Sequence, residues 1–138
     1  MPLMRFTQLP ELQRPLLEKF YRAHRSSMRA KGDAQIWVAR DSEIVAALSL
    51  RAVHDGQWLT GLFVAPEQRG QGFASSLVEA AIAGGDRRVW LFCEPGLAGF
   101  YQRLGFVETE VLPRELVDRL ARYRQTKSLI AFLYSDRC

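Results

Sequence analysis

The chain is 138 residues long, 48% hydrophobic and 25% charged, with a formal net charge of +4 at pH 7. These values match an ordinary globular domain, long enough to bury a core without metal or disulfide support, and give no compositional basis for disorder. No apolar run reaches membrane-spanning length, the first residues (Met1-Pro2-Leu3-Met4-Arg5) lack a signal peptide's apolar core, and the charge is too dispersed for a nucleic-acid stripe; a cytoplasmic protein of one domain, residues 1–138, with neither membrane nor nucleic acid as partner, is expected.

Leu9 to Arg22 sets Leu12, Leu16, Phe20 and Tyr21 at roughly helical spacing, with Pro10 suited to a first turn, so a first helix is expected there. Its continuation through His24, Arg25, Arg29 and Lys31 reads as a basic, solvated helix face that stops at Lys31-Gly32-Asp33. Gln35 to Ala39, Glu43 to Val53 and Trp58 to Val64 read as strands around the turns Arg40-Asp41-Ser42 and His54-Asp55-Gly56, an antiparallel meander with His54 and Asp55 facing solvent. Beyond Pro66 the period changes. Phe73, Leu77, Val78, Ala81 and Ile82 recur as one face of a helix closed by Gly84-Gly85.

Val89 to Cys93 is a short, wholly apolar run, as expected of a strand covered on both faces, and it follows the preceding strand through a helix, which makes a right-handed parallel β–α–β unit. A short helix from Leu97 to Leu104, a strand from Phe106 to Val111, an amphipathic helix from Pro113 to Gln125 and a strand from Ser128 to Tyr134 complete the chain. The fold class is α/β: a single-domain mixed, mostly antiparallel sheet flanked by helices. Trp37, Trp58 and Trp90 fall in strands and read as core or cleft-lining. Cys93 and Cys138 have no metal-ligand spacing and read as free thiols, so no metal site is expected. Trp90, Leu91 and Phe92 should bury Cys93 and raise its thiol pKa, which favours a structural cysteine over an acyl-carrying nucleophile.

The stretch Arg69-Gly70-Gln71-Gly72-Phe73-Ala74 joins an apolar strand to a helix. Two glycines permit backbone conformations that a side chain obstructs, and a helix starting there turns unpaired N–H groups and its positive dipole end toward a ligand, which suits a diphosphate. A P-loop requires Lys then Ser or Thr after its last glycine, where this chain has Phe73-Ala74. A dinucleotide fingerprint fits poorly too: Ser75 replaces the third glycine, Ala65 to Gln68 separate the strand from Gly70, and the chain after Glu94 is too short for a second half of a doubly wound sheet.

The stretch resembles the acyl-CoA-binding core of the GCN5-related N-acetyltransferase (GNAT) superfamily, whose motif Gln/Arg-x-x-Gly-x-Gly/Ala is matched by Arg69-x-x-Gly72-x-Ala74. The likeness extends to Leu62-x-Val64-x-Pro66 before the loop, to Ser75-Ser76-Leu77-Val78 after it, and to Phe100-Tyr101-Gln102-Arg103-Leu104-Gly105-Phe106 at the family's second signature. Strand order, element count and length agree, so the resemblance covers nearly the whole chain. It implies an acetyl-CoA-dependent N-acetyltransferase in which the strand before the loop, bulged near Gly61, splays from the next parallel strand.

On this resemblance the cofactor-binding residues are Leu62, Phe63 and Val64 for pantetheine, and Arg69, Gly70, Gln71, Gly72, Phe73, Ala74 and Ser75 for the pyrophosphate. Phe100 and Arg103 also border the cofactor, and the Phe73 side chain is expected to pack inward. Tyr101 is the expected general acid on the leaving sulfur. The strand Trp58 to Val64 holds no acid, so Glu94, just past the next strand, is the candidate base, directly or through water. Glu94-Pro95-Gly96 also departs from the family pattern, since many relatives carry Asn at that distance before the Phe-Tyr pair. The acceptor is expected to be an amine, of a small molecule or a peptide, contacted from Phe20 to Lys31 and Val111 to Lys127, and the protein a monomer or homodimer. A non-catalytic acyl-CoA-binding module is the alternative; the intact Tyr101 argues against it.

Overall fold

The computed structural model describes residues 3–26, 32–84 and 88–135. Its strands are β1 (Arg5–Gln8), β2 (Gln35–Arg40), β3 (Ile44–Val53), β4 (Gly56–Val64), β5 (Arg88–Cys93), β6 (Val107–Glu108) and β7 (Ile130–Ser135); its helices are α1 (Arg14–Ala23), α2 (Phe73–Ala83), α3 (Ala98–Arg103) and α4 (Arg114–Tyr123). The seven strands form one mixed, mostly antiparallel sheet in the order β1-β2-β3-β4-β5-β7-β6. The chain groups into two compact units, one of Met1–Arg51 with Leu59–Gly84 and the other of Ala52–Trp58 with Gly85–Cys138.

In the first unit β2 pairs antiparallel with β3 from Gln35↔Leu50, slipping at Ala39/Arg40. Ile36 and Val38, two residues apart, turn to one face and join Leu17, Phe20 and Tyr21 of α1, Leu9, Ala47 and Ala65 in an apolar core. Leu17, Phe20 and Tyr21 share a stripe because they stand three and four residues apart. The strand β1 was not expected from the sequence. It has four residues, is mostly exposed and pairs with β2 from Arg5↔Arg40 to Gln8↔Trp37, so its polar side chains carry no apolar alternation. The first helix is shorter than expected. After a 3-10 turn at Glu11–Gln13, α1 ends at Ala23, where Arg25 takes φ 54 and breaks the helical ladder; Arg29 and Lys31 lie outside the described residues.

The second unit holds the parallel pair, Gln57↔Val89 and Trp58↔Trp90. β5 then pairs antiparallel with β7 over its full length, Arg88↔Ser135 to Cys93↔Ile130. Trp58, Trp90 and Leu116 form a cluster with Val53, Phe92, Leu112, Tyr123 and Leu133, so the apolar face of α4 covers this end of the sheet. The Glu115 carboxylate accepts the His54 N–H at 2.8 Å, and the Arg119 guanidinium lies 5.1 Å from the Trp58 ring, which fixes the helix in place. His54 and Asp55 are exposed, as expected. The strand expected over Phe106 to Val111 is only Val107–Glu108, paired with Leu133 and Phe132. Past it the Thr109 hydroxyl accepts the Val111 N–H at 3.1 Å, a local turn that takes the backbone out of the ladder.

Candidate active site

The first unit carries the glycine loop and the strand that feeds it. Along β4 the chain is buried from Gly56 to Leu59 and half-buried from Thr60 to Val64, and Gly61 takes φ 68 within that change. A left-handed residue inside a strand interrupts the pleat, and only glycine adopts it without strain. Leu62, Phe63 and Val64 are therefore on the partly uncovered half. The strand ends where the Ala65 N–H donates to the Val45 carbonyl at 2.8 Å, and a 3-10 turn at Pro66–Gln68 delivers Arg69.

Arg69 folds back onto the strand, its Nε donating to the Val64 carbonyl at 3.0 Å and its guanidinium 5.6 Å from the Phe63 ring. Gly70 and Gly72 follow with φ +83 and +81, and a Cβ built on either would meet nothing within 4 Å. The backbone there is twisted into a form other residues resist, and the space before it is open. Gly72 caps α2 with no side-chain hydrogen bond, and the first helical bond runs from the Ser76 N–H to the Gly72 carbonyl at 3.1 Å. The N–H groups of Phe73, Ala74 and Ser75 thus begin the helix without a side-chain partner, a fit for a pyrophosphate. The Phe73 ring lies against Phe6, centroids 6.3 Å apart, so only its backbone serves the loop.

The second unit holds the tyrosine. A 3-10 turn at Pro95–Leu97 leads into α3, and Gly105 at φ +99 turns the chain so that the Phe106 N–H reaches the Tyr101 carbonyl at 3.1 Å. The Tyr101 ring is set between Phe100 and Phe106, edge-on to each at 4.9 and 5.6 Å. Burial pushes its phenol up to about 12, with the neighbouring Cys93 adding. Cys93 is buried at the end of β5, and burial first, then Glu108, raises its thiol pKa, as its apolar neighbours suggested. Glu94 is exposed immediately after β5, its carbonyl accepting the Leu97 N–H at 2.9 Å. Phe100 is half-buried and Arg103 exposed.

One residue departs from its sequence reading. His24 is not a solvated helix residue: its Nδ1 donates to the Phe20 carbonyl at 3.0 Å and its Nε2 lies 3.3 Å from Glu67 Oε1. Its ring is 4.9 Å from Phe20 and 6.1 Å from Phe63. Only the spacing of Phe20 and His24 hinted at this; Glu67 is 43 residues away.

A family model described as an acetyltransferase (GNAT) domain matches residues 32–108, more than half of the chain. Among solved structures, N-acetylglutamate synthase of Neisseria gonorrhoeae, complexed with coenzyme A and N-acetyl-glutamate, superposes with a TM-score of 0.72 at 13% identity; the match covers 100% of this chain and 36% of that one. The ribosomal-protein-S18-alanine N-acetyltransferase of Escherichia coli gives 0.70 at 15% identity, covering 99% of this chain and 96% of that one. ElaA of Escherichia coli gives 0.66 at 18%, covering 98% and 100%. These likenesses are of fold. No curated protein sequence matches the chain.

Proposed function

This chain belongs to the GNAT acetyltransferase family, and from that premise we propose that it transfers acetyl from acetyl-CoA to a primary amine, of a small molecule or a peptide, by direct attack with both substrates bound. The observation that carries the reading is the pair of left-handed glycines, Gly70 and Gly72, running uncapped into α2 directly after the half-covered end of β4. The whole chain acts as one N-acetyltransferase domain, in the cytoplasm, as a monomer or homodimer.

Bound acetyl-CoA supplies an activated acyl group and a thiolate leaving group. The N–H groups from Arg69 to Ser75 hold its pyrophosphate, with the α2 dipole and the Arg69 charge complementing the anion. Leu62, Phe63 and Val64 offer strand-edge backbone groups to the pantetheine amides, with the Val64 carbonyl also accepting from Arg69. Phe100 and Arg103 border the cofactor from α3. Tyr101 donates its proton to the departing sulfur, and its phenol is in the protonated form that this role requires throughout the working range. Glu94, exposed at the end of β5, takes the proton from the attacking amine directly or through water.

Calorimetry with acetyl-CoA, followed by thiol release across a panel of amines, tests the reading. Tight binding with turnover on at least one amine class is expected. Absence of binding would overturn it, and binding without turnover on a broad panel would leave a non-catalytic acyl-CoA module instead.

A further inference from the structure

The contacts of His24 form a strut beneath the loop just described. His24 caps α1 and reaches Glu67 in the 3-10 turn two residues before Arg69, while its ring and the Arg69 guanidinium both contact Phe63. The hydrogen-bond partners favour the protonated ring. Nδ1 faces the Phe20 carbonyl and Nε2 faces the Glu67 carboxylate, both acceptors, so both contacts are hydrogen bonds when each ring nitrogen carries a hydrogen. Only the imidazolium satisfies both; the neutral ring that keeps the Phe20 bond turns a lone pair on Glu67.

We propose that His24 is a positioning residue for acetyl-CoA binding, whose protonated ring grips Glu67 and sets the turn that presents Arg69, Gly70 and Gly72. This rests on the reading of that loop as the pyrophosphate site. The charged group that faces His24 is Glu67 from the turn, on which Arg69 from the loop also draws. Arg22 and Arg25 flank it in its own segment, and Tyr21, raised to about 12 by burial, stays neutral. The His24 pKa lies above the ordinary histidine value, the Phe20 carbonyl being the largest cause, burial opposing it and Glu67 adding. A raised histidine pKa means that the strut is closed below about 6.5, the unfolded value, and opens as pH rises through the folded one.

The test is the dissociation constant of coenzyme A from pH 5.5 to 9 for the full chain, His24→Gln and Glu67→Gln, each checked for an unchanged melting curve. Taking the ratio of wild type to variant cancels the titration of the ligand's own phosphates. Because Glu67 is exposed and the pair is screened by solvent, the expected advantage of wild type is about two- to five-fold at low pH, vanishing at high pH, in KM for acetyl-CoA and not in kcat. Glu67→Gln, a change at an exposed side chain, should give the same profile, and the double variant should be no weaker than either single one. A ratio flat with pH overturns the proposal, as does an effect on kcat alone. The amide resonances of Gly70 and Gly72 in the ligand-free protein should also follow the His24 titration and cease to in Glu67→Gln. If they do while coenzyme A does not bind, the strut stands and the loop reading fails; if they stay fixed, the strut fails.

Discussion

The Arg69 side chain donates its Nε to the carbonyl of Val64 at 3.0 Å, so the residue that opens the glycine loop is tied to the last residue of the strand that precedes it. The bond closes the turn from Val64 to Arg69 and holds the guanidinium beside the Phe63 ring. Arg69→Ala removes the tie, the contact with Phe63 and a positive charge together. Acetyl-CoA should then bind about tenfold more weakly or worse, given what a charge-assisted bond contributes at an exposed position. Arg69→Lys keeps the charge without the fork and should recover only part of the loss, as calorimetry of the two variants would record.

Two glycines distinguish binding from folding. At Gly72 a Cβ meets nothing within 4 Å, but the residue sits at φ +81, so Gly72→Ala should cost about 1–2 kcal/mol of backbone strain or reshape the loop. Acetyl-CoA affinity should fall clearly, while the melting temperature falls by roughly 4–10 °C, at about 4–5 °C per kcal/mol for a chain of this size. At Gly56 a Cβ would lie 2.4 Å from the Arg88 carbonyl oxygen and 2.8 Å from the Trp90 ring. Gly56→Ala must push apart two strands and should destabilise by roughly 3 kcal/mol or more, visible in chemical denaturation without ligand.

The middle of the fold was readable because its period changes sharply. The apolar run ending at Val64, the stripe Leu77, Val78, Ala81 and the run Val89 to Cys93 each obey one repeat, and two glycines mark where the strand repeat gives way to the helical one. Three features had no such signal. β1 is a four-residue edge strand whose one apolar side chain is Phe6, too few to show an alternation. The early end of β6 depends on one threonine hydroxyl competing for the backbone. The local half of the His24 placement, its bond to Phe20 four residues back, is within reach of spacing, but its contact with Glu67 joins residues 43 apart that no local pattern links.

Cys93 is close enough to Tyr101 to raise its pKa, and a thiol there invites a covalent acyl intermediate. Its own pKa is raised by burial, which leaves little thiolate at neutral pH, the opposite of what a nucleophile needs. Cys93→Ala should therefore keep kcat within about two- to three-fold of wild type, a small change beside the loss of a covalent nucleophile. Initial-rate plots against both substrates should intersect. Parallel lines, or loss of turnover in Cys93→Ala with the fold intact, would replace direct attack with an acyl-cysteine route.

Tyr101 combines a catalytic prediction with a stability prediction, and their pH windows differ. With its pKa at about 12 the phenol stays protonated through the working range, so kcat should show no alkaline fall attributable to it between pH 7 and pH 10. Tyr101→Phe keeps the ring between Phe100 and Phe106 and deletes only the proton donor. Thiol release should drop about 100-fold or more with little change in the melting temperature, in line with the usual weight of a positioned general acid. Since the folded pKa exceeds the unfolded value of about 10, the folded state holds its proton more tightly, and stability is complete below pH 10 and lost as pH rises toward 12. Tyr21 is shifted in the same direction to the same value and contributes to the same loss. Alkaline unfolding of wild type should begin in that interval, and Tyr101→Phe should soften it by about 2–3 kcal/mol at its upper end. An unchanged alkaline profile in Tyr101→Phe would mean that the phenol is not buried, and an unchanged rate would remove it from the chemistry.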